Sequence, residues 1–303
     1  MTARPKGLLA VTDDRYILGE GPQWNASEQT VSWVDIEGRT LSVARLGSRG
    51  ALTIIEQRSF DDRIGFAHPL GDGHYLIGLG RCVAISAPDG VVQSTGPLVA
   101  EGRRLNDSVI DPAGCLIVGG LSLETAHESN RLLRINSAGT VDVLDDDLRL
   151  SNGLAFSPDG GVLYSIDSLR HGVFRRSYDA ATGRAGEREV VATFGDLEPD
   201  GMAVDDAGDL WVAVWGGGGI QRIRADGSEA NFVEVGPSHV TSLAFSGPGL
   251  DVAVVTTSHL LLDDNERRQS PTAGAVVTMA LGVTGLRPHL WKPLDLHRVT
   301  VDL

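Results

Sequence analysis

The chain has 303 residues, 42% of them apolar, and a formal net charge of −14. It is too apolar for a disordered chain and too acidic for a nucleic-acid binder, since phosphate backbones are held by Lys and Arg. No apolar run approaches the roughly 20 residues of a membrane span or a secretory leader, so nucleic acid and membrane are excluded as expected partners and the expected location is the cytoplasm.

Residues 1–7 read as a loose tail and residues 8–17 as a strand. From Glu20 onward one unit recurs: a short strand, a tight turn and a second strand. The clearest copy runs from Leu150 to Tyr164. There Leu154 and Phe156 alternate with small residues, Ser157-Pro158-Asp159-Gly160 supplies turn chemistry, and Val162 and Tyr164 resume the alternation. Further copies begin at Glu20, Ile64, Asn106, Asp200 and Thr241. Their turns open at Asn25, Pro69, Asp111, Ser157, Asp205 and Ser246, spaced 41 to 48 residues apart. Six units of this length, rich in strands and glycine turns and without a helical period, predict an all-β, six-bladed propeller of four antiparallel strands per blade. The whole of 1–303 is expected to form one such domain. The N-terminal strand should complete the blade made by the C-terminal residues and so close the ring.

Further strands are expected at 30–36 and 40–44 in blade one, 74–79 and 82–85 in blade two, and 115–120 and 131–135 in blade three. Blade four should hold 164–167 and 173–176, blade five 210–214 and 220–223, and the last blade 251–257 and 274–279. The polar stretch 121–128 reads as an excursion over the binding face. Gly216 to Gly219 reads as a hairpin loop, because no helix or Lys follows to make a phosphate cradle. Residues 263–270 read as a charged surface loop. Cys82 and Cys115, in strand-like apolar contexts, read as free thiols.

Five residues before each turn opener stand Glu20, Ile64, Asn106, Asn152, Asp200 and Thr241. Equivalent positions of a propeller lie on one ring at one end of the channel. Taken singly, these residues have bland explanations: an exposed turn Glu, an Asn before Gly, a Pro-Asp-Gly turn. Their shared phase argues otherwise. Two carboxylates and two amides converging on one axis suit a hard divalent cation. Glu20 and Asp200 would bring two negative charges and Asn152 a neutral oxygen, leaving positions open for water and substrate. Such an ion polarises a carbonyl and acidifies water, and Asp200 could take the proton as general base. This suits hydrolysis of an ester or lactone without a covalent intermediate. No Gly-x-Ser-x-Gly elbow supports a serine nucleophile, and the histidines lack zinc-site spacing. Asn106 could be a ligand or a substrate contact, and Asp107 a supporting partner behind the ligands or merely structural.

The motifs Leu18-Gly19-Glu20-Gly21-Pro22, Arg104-Leu105-Asn106-Asp107, Asp111-Pro112-Ala113-Gly114, Ser151-Asn152-Gly153-Leu154-Ala155, Tyr164-Ser165-Ile166-Asp167-Ser168 and Pro199-Asp200-Gly201-Met202 together resemble the SMP-30/gluconolactonase/regucalcin family of six-bladed propellers. The resemblance spans nearly the whole chain in order and spacing. It implies one divalent metal held by Glu20, Asn152 and Asp200, with Ca²⁺ the first choice and Mg²⁺, Mn²⁺, Zn²⁺ or Fe²⁺ the alternatives. It also implies that Arg104, Asn106 and Glu124 contact the hydroxyls of a sugar lactone. Ile64 departs from the ligand pattern, and the loops near His68 and His127, expected to face substrate, leave the sugar open. The expected function is a metal-dependent hydrolase opening an aldonolactone to its aldonic acid. The alternatives are a hydrolase of another ester or an organophosphate at the same metal, and a regulatory metal-binding propeller without turnover.

Overall fold

The computed structural model describes residues 5–124 and 129–301. Residues 125–128, including His127, lie outside the described residues. Among the described residues the strands form six antiparallel sheets arranged as a six-bladed propeller. Each blade begins with an inner strand: Gly19–Asn25, Ile64–Gly71, Arg103–Ile110, Ser151–Phe156, Glu198–Val204 and His239–Ser246. Successive inner strands pack side by side, and the sixth returns to the first.

The ring closes as expected. Leu8–Val11 pairs with Val277–Met279 as the outermost strand of the sixth blade. It stops at Val11, short of residue 17, because the polar residues Asp13, Asp14 and Arg15 that follow are exposed. Pairing also reaches back into the segment expected to be loose: the Gly7 carbonyl accepts from the Ala280 N–H at 2.8 Å. At the same seam the Thr241 hydroxyl donates to the Gly19 carbonyl at 2.6 Å, one residue before Glu20.

Most of the other expected strands are present, but the sequence did not locate the outermost ones. Leu52–Ser59 alternates strictly between exposed and half-buried residues, and Glu229–Glu234 is mostly exposed. One face of such strands meets water, so their hydrophobic signal is weak. The charged segment after residue 262 is not a loop. Asp264–Gln269 is a short helix, started by a capping box in which Asp263 accepts from the Asn265 and Glu266 N–H groups and Glu266 accepts from the Asp263 N–H. Gly216 and Gly218 take positive φ in the hairpin before the strand Gly219–Ile223, as the glycine run suggested.

One feature was invisible in the sequence. Every inner strand slips register at the phase position, within Glu20/Gln23, Ile64/Ala67, Leu105/Ser108, Asn152/Leu154, Pro199/Met202 and Val240/Ser242. A bulge bends a strand and re-aims the side chain it carries. Six bulges at one level therefore make the ring a structural layer of its own.

The turn opener Asp111 is a staple. Asp111 is fully buried. One carboxylate oxygen accepts from the Ala113 and Cys115 N–H groups, both at 2.8 Å. The other accepts from Arg134 Nε at 3.0 Å and the Tyr178 hydroxyl at 2.6 Å, tying blade three to blade four. Asp111→Ala leaves the buried Arg134 charge with the 3.6 Å contact to Asp142 as its ion pair, beside neutral hydrogen bonds to the Tyr178 hydroxyl at 2.8 Å and Cys115 Sγ at 3.2 Å. We expect it to cost about 3 kcal/mol in stability, read as a lower denaturation midpoint with an unchanged slope; a shift within error would contradict the staple. Cys82 and Cys115 are free thiols.

Candidate active site

Two buried carboxylates aim the chain before it enters the ring. Asp35, last in its strand, accepts from the Ile17 and Leu18 N–H groups at 2.8 and 3.0 Å. Asp167, in the same place in blade four, accepts from the Arg149 and Leu150 N–H groups at 3.0 and 3.1 Å. Each clamp acts two residues before a ring residue, Glu20 and Asn152 respectively.

Glu20, Arg104, Asn106, Asn152 and Asp200 line one cavity of about 170 Å³ at this end of the channel. A hydrogen-bonded chain joins three blades across its floor. Arg104 Nη1 donates to Asn106 Oδ1 at 2.6 Å and to the Leu105 carbonyl at 3.0 Å. Asn106 Nδ2 donates to the Ser151 carbonyl at 2.8 Å and to Asn152 Oδ1 at 3.2 Å. Asn152 Nδ2 donates to Ser168 Oγ at 3.1 Å, and Ser168 Oγ donates to the Pro199 carbonyl at 2.6 Å, beside Asp200. Ser168 closes this chain without having been singled out from the sequence. Its signal was its place next to Asp167 in the blade-four motif.

The electrostatics of the floor are those of crowded negative charge. Burial, then the Glu20 and Asp107 charges, push the Asp200 carboxyl well above the usual range, with some relief from a hydrogen bond with the Asn152 side chain. Burial and the Asp107 charge likewise raise Glu20, against a 3.1 Å hydrogen bond from the Gly21 N–H and the Arg104 charge. Burial raises Asp107 to about 6 and lowers Arg104 to about 10. Asp200 Oδ1 is buried and accepts no hydrogen bond among the described residues. An oxygen without a partner among carboxylates that repel one another fits a hard cation, which would satisfy the oxygen and cancel the repulsion. No group of three His, Cys, Asp or Glu side chains gathers among the described residues; the donor set here is two carboxylates with amide oxygens.

Ile64 is fully buried in apolar packing between blades one and two and offers no donor. Thr241 is spent on the seam. Glu124 is exposed and does not line the cavity. Asp107 faces a second cavity of about 370 Å³ further along the channel, together with His68 and Ser108. His68 is not on a substrate-facing loop: it lies buried on an inner strand, its Nε2 2.8 Å from Ser108 Oγ, and burial lowers its pKa to about 4. The sequence missed the apolar mouth, which Leu121, Leu150, Trp215, Leu260 and Leu261 line.

No described helix is long and apolar enough to cross a membrane. Residues 18–259 match the family described as SMP-30/Gluconolactonase/LRE-like region. The chain is 32% identical to pentonolactonase XacC of Haloferax volcanii, over 95% of this chain and 99% of that protein. It is 31% identical to a 6-deoxy-6-sulfogluconolactonase of Pseudomonas putida, over 92% of this chain and 96% of that protein. Among solved structures, the calcium-binding protein regucalcin of Agrobacterium tumefaciens superposes with a TM-score of 0.86 at 26% identity, covering 96% of this chain and all of that one. With a family match spanning most of its length, the chain belongs to the SMP-30/gluconolactonase/LRE-like family.

Proposed function

We propose that the protein is a divalent-metal-dependent hydrolase that opens a sugar lactone to its aldonic acid. The observation that carries this reading is the convergence of Glu20, Asn106, Asn152 and Asp200 on one small cavity, with a buried Asp200 oxygen that has no hydrogen-bond partner among the described residues. The lactonase names of the relatives support the reaction class, and the calcium-binding structural neighbour supports Ca²⁺ as the first cation to test.

Glu20, Asn152 and Asp200 would hold the cation. When bound, it supplies Lewis-acid polarisation of the lactone carbonyl and a more acidic water. Asp200 takes a proton from the attacking water. The water oxygen bonds to the carbonyl carbon, the ring C–O bond breaks, and the departing ring oxygen receives a proton to become the hydroxyl of the acid. Arg104 orients the substrate: Nη1 is occupied within the protein, while Nε and Nη2 have no hydrogen-bond partner among the described residues and remain for substrate oxygens. The exposed position of Glu124 makes it a contact only for substrate that reaches out of the mouth. Asp107 supports the site electrostatically from the channel side.

Arg104→Ala should raise KM by roughly 10- to 100-fold, the worth of a charge-assisted hydrogen bond, with a smaller change in kcat. Unchanged kinetics on every lactone would remove its substrate role. The reading itself is tested by proton release on γ- and δ-aldonolactones, corrected for spontaneous hydrolysis, using metal-stripped protein with Ca²⁺, Mg²⁺, Mn²⁺, Zn²⁺ or Fe²⁺ restored. Metal-restored turnover is expected. Silence on all lactones with turnover of a phosphotriester or simple ester would favour the second reading, an ester or organophosphate hydrolase at the same site, which the apolar mouth makes the next in line.

A further inference from the structure

The cavity has two unlike halves. Its floor is polar and charged, as described. Its mouth is lined by Leu121, Leu150, Trp215, Leu260 and Leu261, contributed by blades three, four, five and six. Trp215 is fixed by stacking on His239, with ring centroids 4.0 Å apart and planes 10° from parallel.

Leu261 is the telling residue. It is 80% exposed and sits at φ 64°, a left-handed conformation that is costly for a bulky side chain and that Gly or Asn adopts far more readily. Neither solvation nor backbone economy selects leucine there. The turn that carries it is nonetheless firmly built. The Leu260 N–H donates to the Ile17 carbonyl at 3.0 Å and to Ser258 Oγ at 2.9 Å, Ser258 Oγ donates to that same Ile17 carbonyl at 2.6 Å, and Arg267 Nε on the capped helix donates to the Leu262 carbonyl at 3.0 Å. Strain held in place by its surroundings is a mark of a functional position. Here it presents an apolar side chain over the mouth of a polar site.

A polyhydroxylated chain end laid against this wall would lose hydration without gaining partners. A methyl or other alkyl end would lose only apolar surface to water. The cavity is also below the roughly 300 Å³ of the smallest drug-sized sites, enough for one small ring. We propose, resting on the lactonase reading above, that the preferred substrate is a lactone with an apolar end: a deoxy or alkyl-substituted aldonolactone whose ring hydroxyls meet Arg104 and Asn106 while its exocyclic methyl or alkyl group packs on Leu260, Leu261 and Trp215.

The test compares kcat/KM on D-glucono-δ-lactone and 6-deoxy-D-glucono-δ-lactone, with the metal-loaded wild-type protein, Leu261→Asn and Leu261→Gly. Both replacements tolerate the turn's backbone, so melting temperatures should hold or rise. The wild type should prefer the deoxy lactone by about 10-fold or more, the worth of a small apolar group in an apolar pocket. Both variants should pull that ratio toward one. Equal or better use of the parent lactone by the wild type would overturn the inference and leave the lactonase reading standing, as would variants that slow both substrates equally. Turnover of neither these lactones nor any other would overturn the lactonase reading and the inference with it.

Discussion

Asp200→Asn is expected to lower kcat by about 10³-fold or more, because it removes a general base, worth roughly 10²- to 10⁴-fold, together with a metal-binding charge. The substitution keeps the shape and one acceptor oxygen but removes both the proton acceptor and a negative charge from the ring. Glu20→Gln removes a charge as well, but no base. Its turnover should therefore recover partly at high metal concentration, whereas that of Asp200→Asn should not. This split separates a residue that moves a proton from one that only binds. Wild-type rates in Asp200→Asn, or equal rescue of both variants by metal, would contradict the assignment.

The second large effect concerns stability and pH. Glu20, Asp107 and Asp200 all have carboxyls raised in the folded chain by burial, and for Glu20 and Asp200 by neighbouring carboxylates as well. The folded state thus binds more protons than the unfolded state. In the metal-free protein these groups favour folding at a pH below their unfolded values, near 4. That contribution is lost as pH rises, through about 6 for Asp107 and further for the other two. A bound cation cancels the repulsion. The metal-induced rise in Tm should therefore be small at pH 5 and on the order of 5 °C larger at pH 8. Without metal at pH 8, Glu20→Gln and Asp200→Asn should melt above the wild type, because each removes a repelling charge from a site built for function. A metal effect that does not vary with pH, or variants that melt lower, would show that these carboxylates do not share one ion.

The fold was legible because its repeat is short, regular and punctuated by turn residues with a mechanism. Ser157-Pro158-Asp159-Gly160 behaves as its chemistry dictates, with the Gly160 N–H bonded to the Ser157 carbonyl at 2.8 Å and Gly160 at φ 71°. Phase then brought Glu20, Asn106, Asn152 and Asp200 to one cavity without any local signal in each residue. Phase could not say which ring positions face the cavity, because that is settled by packing across blades: Ile64 fills the core and Thr241 bonds the closing seam. The bulges were hidden for a related reason. They are set by how twisted strands meet at the axis, and glycine accompanies only some of them. The clamping roles of Asp35 and Asp167 were hidden because a carboxylate ending a strand looks like any turn residue until its amide partners are known. The helix Asp264–Gln269 was a different kind of miss. Its capping residues Asp263 and Glu266 stood in plain view, but the density of charge around them read as a solvated surface loop.

The most direct measurement is a titration of Ca²⁺ into metal-stripped protein, with bound metal and lactone turnover followed in the same samples. If Glu20, Asn152 and Asp200 hold the working ion, turnover rises in step with occupancy and levels off at one metal per chain. Full turnover before any metal is bound, or saturation with metal while no lactone is opened, would contradict a metal-dependent lactonase at this site.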